Sequence, residues 1–475
     1  MKRIAIIGGG ISGLSAAFTL EEHRRAGASI EYVVFESSPR LGGVLQTEHV
    51  DGCLVEAGPD SFLTEKPWAA DLCRQIGLGD QLIGSNDAAR KTYILVHGQL
   101  IPIPDGLMFM VPTRVLPVLF SSLFSMGTKI RMAREWFHPP RGSVGDESVA
   151  SLVERHYGAE MIDRLADPLL AGVYGGEASQ LSVRAVLPRF AEMESKHGSL
   201  GRGMLAARAK IAQGESPAQP LFTSLQDGMQ HMADALVAQL PPTSLHVKHA
   251  VQSVQPYDSG WMITSAAGLE EFDAVIMATP AKATADLLQS KSAVLATELR
   301  GIEYSSSVTV TLGYGREVRA SLPSGFGFLV PRSEGKRMLA TTFVHNKFPH
   351  RAPDDRALIR CFLGGARNEP ILQLSEKEIV QTVRDELRHI LELTAEPRFA
   401  RVFKWKGAMA QYNVGHLERL QRIERLRAQQ PGLALAGNGY RGIGVPDCVR
   451  SGREAAQFSL AVVGVAEASP KAATP

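Results

Sequence analysis

The chain has 475 residues and a formal net charge of +2, from 51 basic against 49 acidic side chains. Nucleic-acid binding needs a marked basic excess to neutralise phosphates, so nucleic acid is excluded as a partner. Apolar residues are 44% and charged residues 21% of the chain, the mix of a globular protein with a sizeable core rather than a disordered one. That length predicts two or three domains. The four cysteines, Cys53, Cys73, Cys361 and Cys448, form no CxxC pair and have no histidine at metal-ligand spacing. No metal site or disulfide framework is expected, and the default compartment is the cytoplasm.

The opening MKRIAIIGGG has an apolar run only from Ile4 to Ile7, too short for a signal peptide, and reads as a strand. Gly8-Gly9-Gly10-Ile11-Ser12-Gly13 follows, and residues 14–22 read as a helix. Gly8, Gly10 and Gly13 match G-x-G-x-x-G between strand and helix, with Ser12 in the same turn. In that motif the first glycine permits the tight turn, the second lets a pyrophosphate approach the backbone, and the third allows close packing. The anion lies on the helix N-terminus, where unpaired N–H groups point outward. Residues 30–35 form a second strand ending at Glu36, about 20 residues past the last glycine, where a carboxylate accepts bonds from a ribose diol. Arg40-Leu41-Gly42-Gly43 adds an arginine and a second glycine turn.

Residues 91–210 are rich in helix formers with few strand signals. Within them, residues 107–126 are apolar over about the 20 residues a membrane span requires, but Pro112, Arg114 and Pro117 interrupt the run. Lys129, Arg131, Arg134, Trp136 and Phe137 follow, a basic-aromatic mix suited to a headgroup interface. A peripheral membrane contact is one expectation here; helices roofing a pocket in a soluble enzyme are the other. Residues 246–264 are β-rich and residues 272–280 form an apolar strand. Residues 296–429 return to alternating β patterns, with an amphipathic helix near 376–393. Residues 433–436 form a last strand, which runs through Gly437-Asn438-Gly439-Tyr440-Arg441-Gly442-Ile443-Gly444-Val445-Pro446 into a helix over about 447–463. A second glycine-rich loop feeding a helix N-terminus stabilises negative charge on a ring being reduced. The residues from Glu467 read as a frayed tail.

Five further segments are more selective. They are Glu56-Ala57-Gly58-Pro59-Asp60-Ser61-Phe62, Gly172-Val173-Tyr174-Gly175-Gly176, Gly325-Phe326-Gly327-Phe328-Leu329-Val330-Pro331, Gln411-Tyr412-x-x-Gly415-His416 and the run from Tyr440 to Cys448. On these residues, over nearly its whole length, the chain resembles the FAD-dependent protoporphyrinogen/coproporphyrinogen oxidases of haem synthesis, within the monoamine oxidase–phytoene desaturase superfamily. The resemblance implies an α/β fold: a Rossmann-type FAD-binding domain (p-hydroxybenzoate-hydroxylase-like), a mixed-sheet substrate domain and a helical insert. The expected partition is a discontinuous FAD domain over 1–65, 224–295 and 430–475, a substrate domain over 66–90 and 296–429, and a helical, membrane-contacting domain over 91–223.

The resemblance also implies site residues. Gly8, Gly10, Ser12, Gly13, Glu36, Arg40, Gly42 and Gly43 hold FAD, Gly58 and Ser61 lie against the flavin, and Val251 meets the adenine through its backbone. Trp405, Gly437, Ile443, Gly444 and Val445 line the flavin ring. Gly172 places its carbonyl over the substrate's reacting edge, while Leu329 and Phe362 sandwich the macrocycle. Arg90, and more weakly Lys66, pair with substrate propionates through their charge.

The implied chemistry removes six electrons from a porphyrinogen in three flavin cycles, each closed by dioxygen with release of hydrogen peroxide. Protoporphyrinogen IX is the first expectation and coproporphyrinogen III the alternative. Arg90 resembles the mitochondrial type, whereas the DSFLTEK segment and the helical insert resemble the Gram-positive type that acts on coproporphyrinogen III. A flavin amine oxidase or carotenoid desaturase is a more distant alternative, and a non-catalytic FAD or NAD module need not keep the 325–331 and 440–448 segments. Besides porphyrinogen and dioxygen, a membrane surface and a second copy of the chain stay open as partners.

Overall fold

Five short apolar runs pair as an all-parallel sheet, in the spatial order Leu245–Val247, Ile30–Glu36, Lys2–Ile7, Ala274–Met277 and Leu433–Leu435. The chain's first and last strands are thus separated by a single strand. Side chains alternate along a strand, so Ile4 and Ile6 enter one core while Ala5 and Ile7 enter another. Covering both faces explains why these strands read as unbroken apolar runs. Helices Ile11–Arg25 and Val445–Val462 pack on the first face. The three-stranded sheet Val251–Tyr257, Gly260–Ser265 and Gly268–Phe272 packs on the second with helix Ala281–Leu288, around the buried Trp261. The structure, a computed structural model, describes residues 1–142, 145–212, 219–266, 268–366 and 368–465. The tail expected from Glu467 lies outside them.

A second, seven-stranded sheet has the order Phe399–Ala410, Tyr304–Gly315, Arg356–Gly364, Met338–Phe343, Gly327–Leu329, Thr92–Val96 and Gln99–Pro102. Its pairs are antiparallel except for Gly327–Leu329 with Thr92–Val96, so it is a mixed sheet as expected. One face buries Val308, Val310, Ile359 and Leu363 beneath helix Glu376–Leu391. A capping box between Ser375 and Glu378 starts that helix. The other face turns toward the parallel-sheet unit and the helical insert.

Two expected boundaries shift. Residues 92–102, assigned from composition to the helical insert, form two strands of the seven-stranded sheet. Helix Trp68–Gln75, assigned to the substrate domain, buries Ala69, Leu72 and Cys73 in the core beside helix Val445–Val462. In both cases tertiary packing overrode a reading based on local composition.

The helical insert gathers Met126–Glu135, Val149–Tyr157, Asp167–Tyr174, Pro188–His197 and Leu200–Ala212 around Leu152, Leu165 and Leu170. A π-helical stretch, Ile162–Ala166, leads directly into Asp167–Tyr174. The apolar run 107–126 does not form one long helix. It makes the short strand pair Leu107–Met108 and Val111–Pro112, then the six-residue helix Val115–Phe120. Among the described residues no helix is long and apolar enough to cross a membrane.

Candidate active site

The first glycine turn is shaped by close approaches on two sides and open space on a third. A Cβ on Gly8 would lie 2.6 Å from the Ala278 carbonyl oxygen, and one on Gly13 only 1.9 Å from the Gly8 carbonyl oxygen. A Cβ on Gly10 would meet nothing within 4 Å. Gly10 is the N-cap of helix Ile11–Arg25, so the open space lies at the positive end of that helix. Ser12 is buried, and its carbonyl oxygen would lie 2.0 Å from a Cβ on Gly452 of the last helix.

Glu36 stands beside this turn, its carboxylate accepting from the Gly9 N–H at 2.8 Å and from the Ser38 N–H at 2.7 Å. The Lys248 and His249 N–H groups bond Ser38 and Glu36 carbonyls, which brings Val251 close to the same strand end. The second turn lies against the first, with Gly42 N–H bonded to Gly9 O at 2.8 Å. Arg40 is spent on its own loop, donating to the carbonyls of Leu41, Gly43 and Leu45. Burial pushes its guanidinium pKa down, against the charges of Asp234 and Glu36.

The loop at residues 57–61 is held from the opposite side by the seven-stranded sheet. The Ala57 carbonyl accepts from Thr309 Oγ1 at 2.9 Å, Trp405 Nε1 at 2.9 Å and Arg360 Nη2 at 3.4 Å. Arg360 also donates to the Gly58 carbonyl. Trp405, expected along the flavin ring, therefore has its indole N–H engaged in anchoring this loop. A Cβ on Gly58 would lie 2.0 Å from the Val44 carbonyl oxygen, so the loop is pressed onto the second glycine turn. Ser61 donates to Asp60 at 2.6 Å and accepts from Lys347 at 3.1 Å. Three buried cations, Lys347, Arg351 and Arg360, surround the two carboxylates Glu56 and Asp60. Burial works against the Asp60 charge, but Lys347, Arg360 and Arg351 outweigh it and hold the carboxyl well below the usual range. Glu56 moves the other way, because burial outweighs Arg351 there.

At the far end, Gly437 N–H bonds Ser451 Oγ at 3.1 Å, and a Cβ on Gly437 would meet only the Thr279 carbonyl oxygen, at 4.0 Å. Gly442 has a positive φ of 116°, and a Cβ there would strike Asp447 at 2.2 Å. Asp447 lies in the first turn of helix Val445–Val462 and accepts from the Gly444 N–H at 3.3 Å. It also binds Lys66 Nζ at 2.6 Å. Lys66, expected to reach a propionate, is thus spent on the buried carboxylate of this helix.

Register explains how the residues expected to face the substrate come together. Ile94, Leu329, Ala340, Phe362 and Thr309 are successive cross-strand partners, so they share one face of the sheet. Leu329 and Phe362 lie two strands apart on it, while Thr309 reaches the 57–61 loop. Leu329 and Ile443 both pack on the core of the helical insert. Gly172 lies on an exposed turn of helix Asp167–Tyr174, where a Cβ would meet nothing within 4 Å. Arg90 sits just before strand Thr92–Val96, half exposed and 3.5 Å from Asp87.

Thr309, Lys347, Arg351, Arg360 and Gly452 belong to the site only through tertiary contacts, with no motif in the sequence to mark them. Asp60 lies inside the segment from Glu56 to Phe62, and Arg360 is two residues before Phe362 on the same strand face. Gln411 and Tyr412 form a motif whose pattern alone points to no role.

This arrangement, a glycine turn at a helix N-terminus sharing one parallel sheet with a second glycine loop, defines a dinucleotide-binding oxidoreductase scaffold. Open space over Gly10 and beside Gly437, with tight packing at Gly8, Gly13 and Gly58, fits FAD laid along the sheet's edge. Residues 11–458 match the family of flavin containing amine oxidoreductases, and the chain belongs to it. It is a FAD-dependent oxidoreductase. Among its relatives, a coproporphyrinogen III oxidase of Bacillus subtilis is 33% identical over 97% of this chain and 98% of its own. A mitochondrial protoporphyrinogen oxidase of Nicotiana tabacum is 28% identical over 97% of this chain and 95% of its own. The crystal structure of a putative protoporphyrinogen oxidase from Exiguobacterium sp. 255-15 superposes with a TM-score of 0.86 at 30% identity, covering 97% and 99% of the two chains.

Proposed function

We propose that this chain oxidises coproporphyrinogen III to coproporphyrin III in haem synthesis. Protoporphyrinogen IX, the first expectation from sequence, becomes the second candidate, because the relative acting on coproporphyrinogen III is the more similar of the two compared, 33% against 28% identical. The observation that carries porphyrinogen chemistry is the apolar sheet row of Leu329 and Phe362 together with the bare, exposed backbone at Gly172. A flat macrocycle needs an apolar face to rest on and a side-chain-free edge where a meso carbon reacts. Each of three oxidations removes two electrons and two protons, so one porphyrinogen and three dioxygen give one porphyrin and three hydrogen peroxide. When bound, FAD supplies the two-electron acceptor for each cycle. The chain's own part is positioning: Leu329 and Phe362 hold the ring, Arg90 meets a propionate, and the Val445 helix N-terminus favours negative charge beside it.

Anaerobic mixing of the FAD-loaded protein with each porphyrinogen tests this. Bleaching of the flavin by coproporphyrinogen III, faster than by protoporphyrinogen IX, is expected. Faster bleaching by protoporphyrinogen IX reverses the substrate assignment, and bleaching by neither overturns the function.

A membrane contact by a cytoplasmic enzyme is the second reading. It rests on Phe120 and Phe137, 83% and 85% exposed, beside exposed Leu116, Met126 and Ile130. Lys129, Arg131 and Arg134 lie on the same helix as Met126 and Ile130, a composition that suits anionic headgroups. Flotation with vesicles containing an anionic lipid should carry the protein upward. A protein that stays wholly in the unbound fraction excludes the contact.

A further inference from the structure

We infer that Gln411 and Tyr412 are positioning residues that together set the gap between the Gly172 helix and the glycine loop at residues 437–444. The inference rests on the reading in which Gly172 faces the substrate and that loop faces the flavin. Gln411 and Tyr412 directly follow edge strand Phe399–Ala410, and their polar atoms reach the helix that carries Gly172 and the glycine loop at residues 437–444, respectively. The Tyr412 ring itself packs in the core of the helical insert, 6.2 Å from the Tyr174 ring, and its hydroxyl reaches across to the loop.

Gln411 is buried, and its Nε2 lies 2.6 Å from Tyr174 O, 2.9 Å from Ser305 Oγ and 3.0 Å from Met409 O, three acceptors shared by its two hydrogens. Tyr174 is the last residue of the helix that carries Gly172, so its carbonyl belongs to the set a helix C-terminus leaves without intrahelical partners. A Cβ on Gly176 would lie 2.3 Å from Gln411 Oε1, so the amide lies flush on the Gly175-Gly176 turn. Gly175 O is tied separately to the Ala366 N–H at 2.8 Å.

Tyr412 is buried as well. Its hydroxyl accepts from the Gly442 N–H at 2.8 Å and donates to Asn438 O at 2.8 Å, so one oxygen spans both ends of the glycine loop. Its ring stacks on His416 at 4.0 Å and 13°, and His416 Nε2 pairs with Tyr440 O at 3.0 Å, a third bond to the same loop. Burial pushes the His416 imidazole pKa down, so a neutral ring donates that bond. Neighbouring Cα atoms are about 3.8 Å apart. Two adjacent residues therefore tie the walls that the proposed reading places on either side of the reacting atoms.

Two near-isosteric variants separate this role from a generic structural one. Gln411→Met removes the donors and keeps the volume. Turnover per bound FAD should fall about tenfold with little change in KM or in FAD affinity, because loss of the amide donor to Tyr174 O misplaces the Gly172 helix. Tyr412→Phe should weaken FAD binding, read by flavin fluorescence, about tenfold and shift the flavin absorption band. The double variant should lose less than the product of the two, since both act on one gap. Hydrogen exchange over residues 167–175 should rise in Gln411→Met and not in Tyr412→Phe. If both variants melt earlier but keep wild-type turnover per FAD, FAD affinity and exchange pattern, the inference is overturned. If wild-type protein bleaches with neither porphyrinogen, the function fails instead; the FAD-affinity and exchange readouts still decide the clasp.

Discussion

Lys347 Nζ lies 3.0 and 3.1 Å from the two carboxylate oxygens of Asp60, in a pair almost sealed from solvent. Asp60 closes the loop that Ala57 and Gly58 begin, so the pair anchors one wall of the proposed flavin site. Breaking one partner of a buried pair leaves the other charge uncompensated. Lys347→Met is expected to cost about 3–5 kcal/mol and to weaken FAD retention, as measured by calorimetry and by flavin release on gel filtration. Adding Asp60→Asn should recover part of the loss. An unchanged melting temperature in Lys347→Met would show that Arg360, 4.0 Å from Asp60, suffices alone.

His156 gives the helical insert a pH dependence. Its Nδ1 is 3.1 Å from Glu135 and its Nε2 3.1 Å from Glu194, while Arg155 also holds Glu194 and the His138 ring packs beside it. Burial opposes the imidazolium, but the bonds to Glu135 and Glu194 win, so the histidine pKa is raised. The folded value lies above the unfolded one. The stability is therefore full below about pH 6.5 and lost as pH rises through the folded value. For Glu194, burial opposes ionisation, but His156 and Arg155 hold it down at about 2, so its contribution is full above about pH 4.5 and is lost progressively as pH falls through about 2. Hydrogen exchange in helices Met126–Glu135 and Val149–Tyr157 should rise as pH is raised above about 6.5, more than in helix Ile11–Arg25. A uniform response across the chain would refute the local linkage. His156→Ala should cost about 3–5 kcal/mol, because it removes the cation from the buried Glu135, while Glu194 keeps Arg155.

Glycines that look alike in sequence should respond differently to alanine. Gly13→Ala and Gly452→Ala would each push a methyl to about 2 Å from a backbone oxygen, so both should lower the melting temperature of the FAD-free protein. Gly10→Ala has open space ahead of it and should leave that temperature within about 1 kcal/mol of stability. It should instead weaken FAD binding, since the methyl occupies the proposed pyrophosphate position. Equal melting shifts in all three variants would remove the distinction.

Arg90→Ala should raise KM about 5- to 20-fold for the porphyrinogen that the protein oxidises, with a smaller effect on turnover. The proposed propionate contact would be far from the reacting carbon, so its loss would act on ground state and transition state alike. The half-exposed guanidinium is also shared with Asp87, which keeps the expected effect modest. An unchanged KM for both porphyrinogens counts against this role.

The glycine turn, Glu36 at the second strand's end and the Gly437 loop before a helix were legible in sequence, because backbone constraints of this kind need particular residues at particular spacings. The parallel strands were legible as unbroken apolar runs, and helix Glu376–Leu391 as an amphipathic period. Other relations join residues hundreds of positions apart. Lys66 meets Asp447, Lys347 meets Asp60, Arg360 holds Gly58, and Gln411 holds Tyr174. A charge or an amide carries no local signature of its partner, so the expected propionate ligand Lys66 turned out to serve a buried carboxylate. The same holds for strand Thr92–Val96, whose place beside Gly327–Leu329 comes from long-range pairing that no local window contains. The sequence by itself determined the cofactor class and the two glycine loops proposed to cradle it. Only the tertiary structure decided which charges are spent on the scaffold and which residues bridge its two walls, because those energies depend on burial and on distance across the fold.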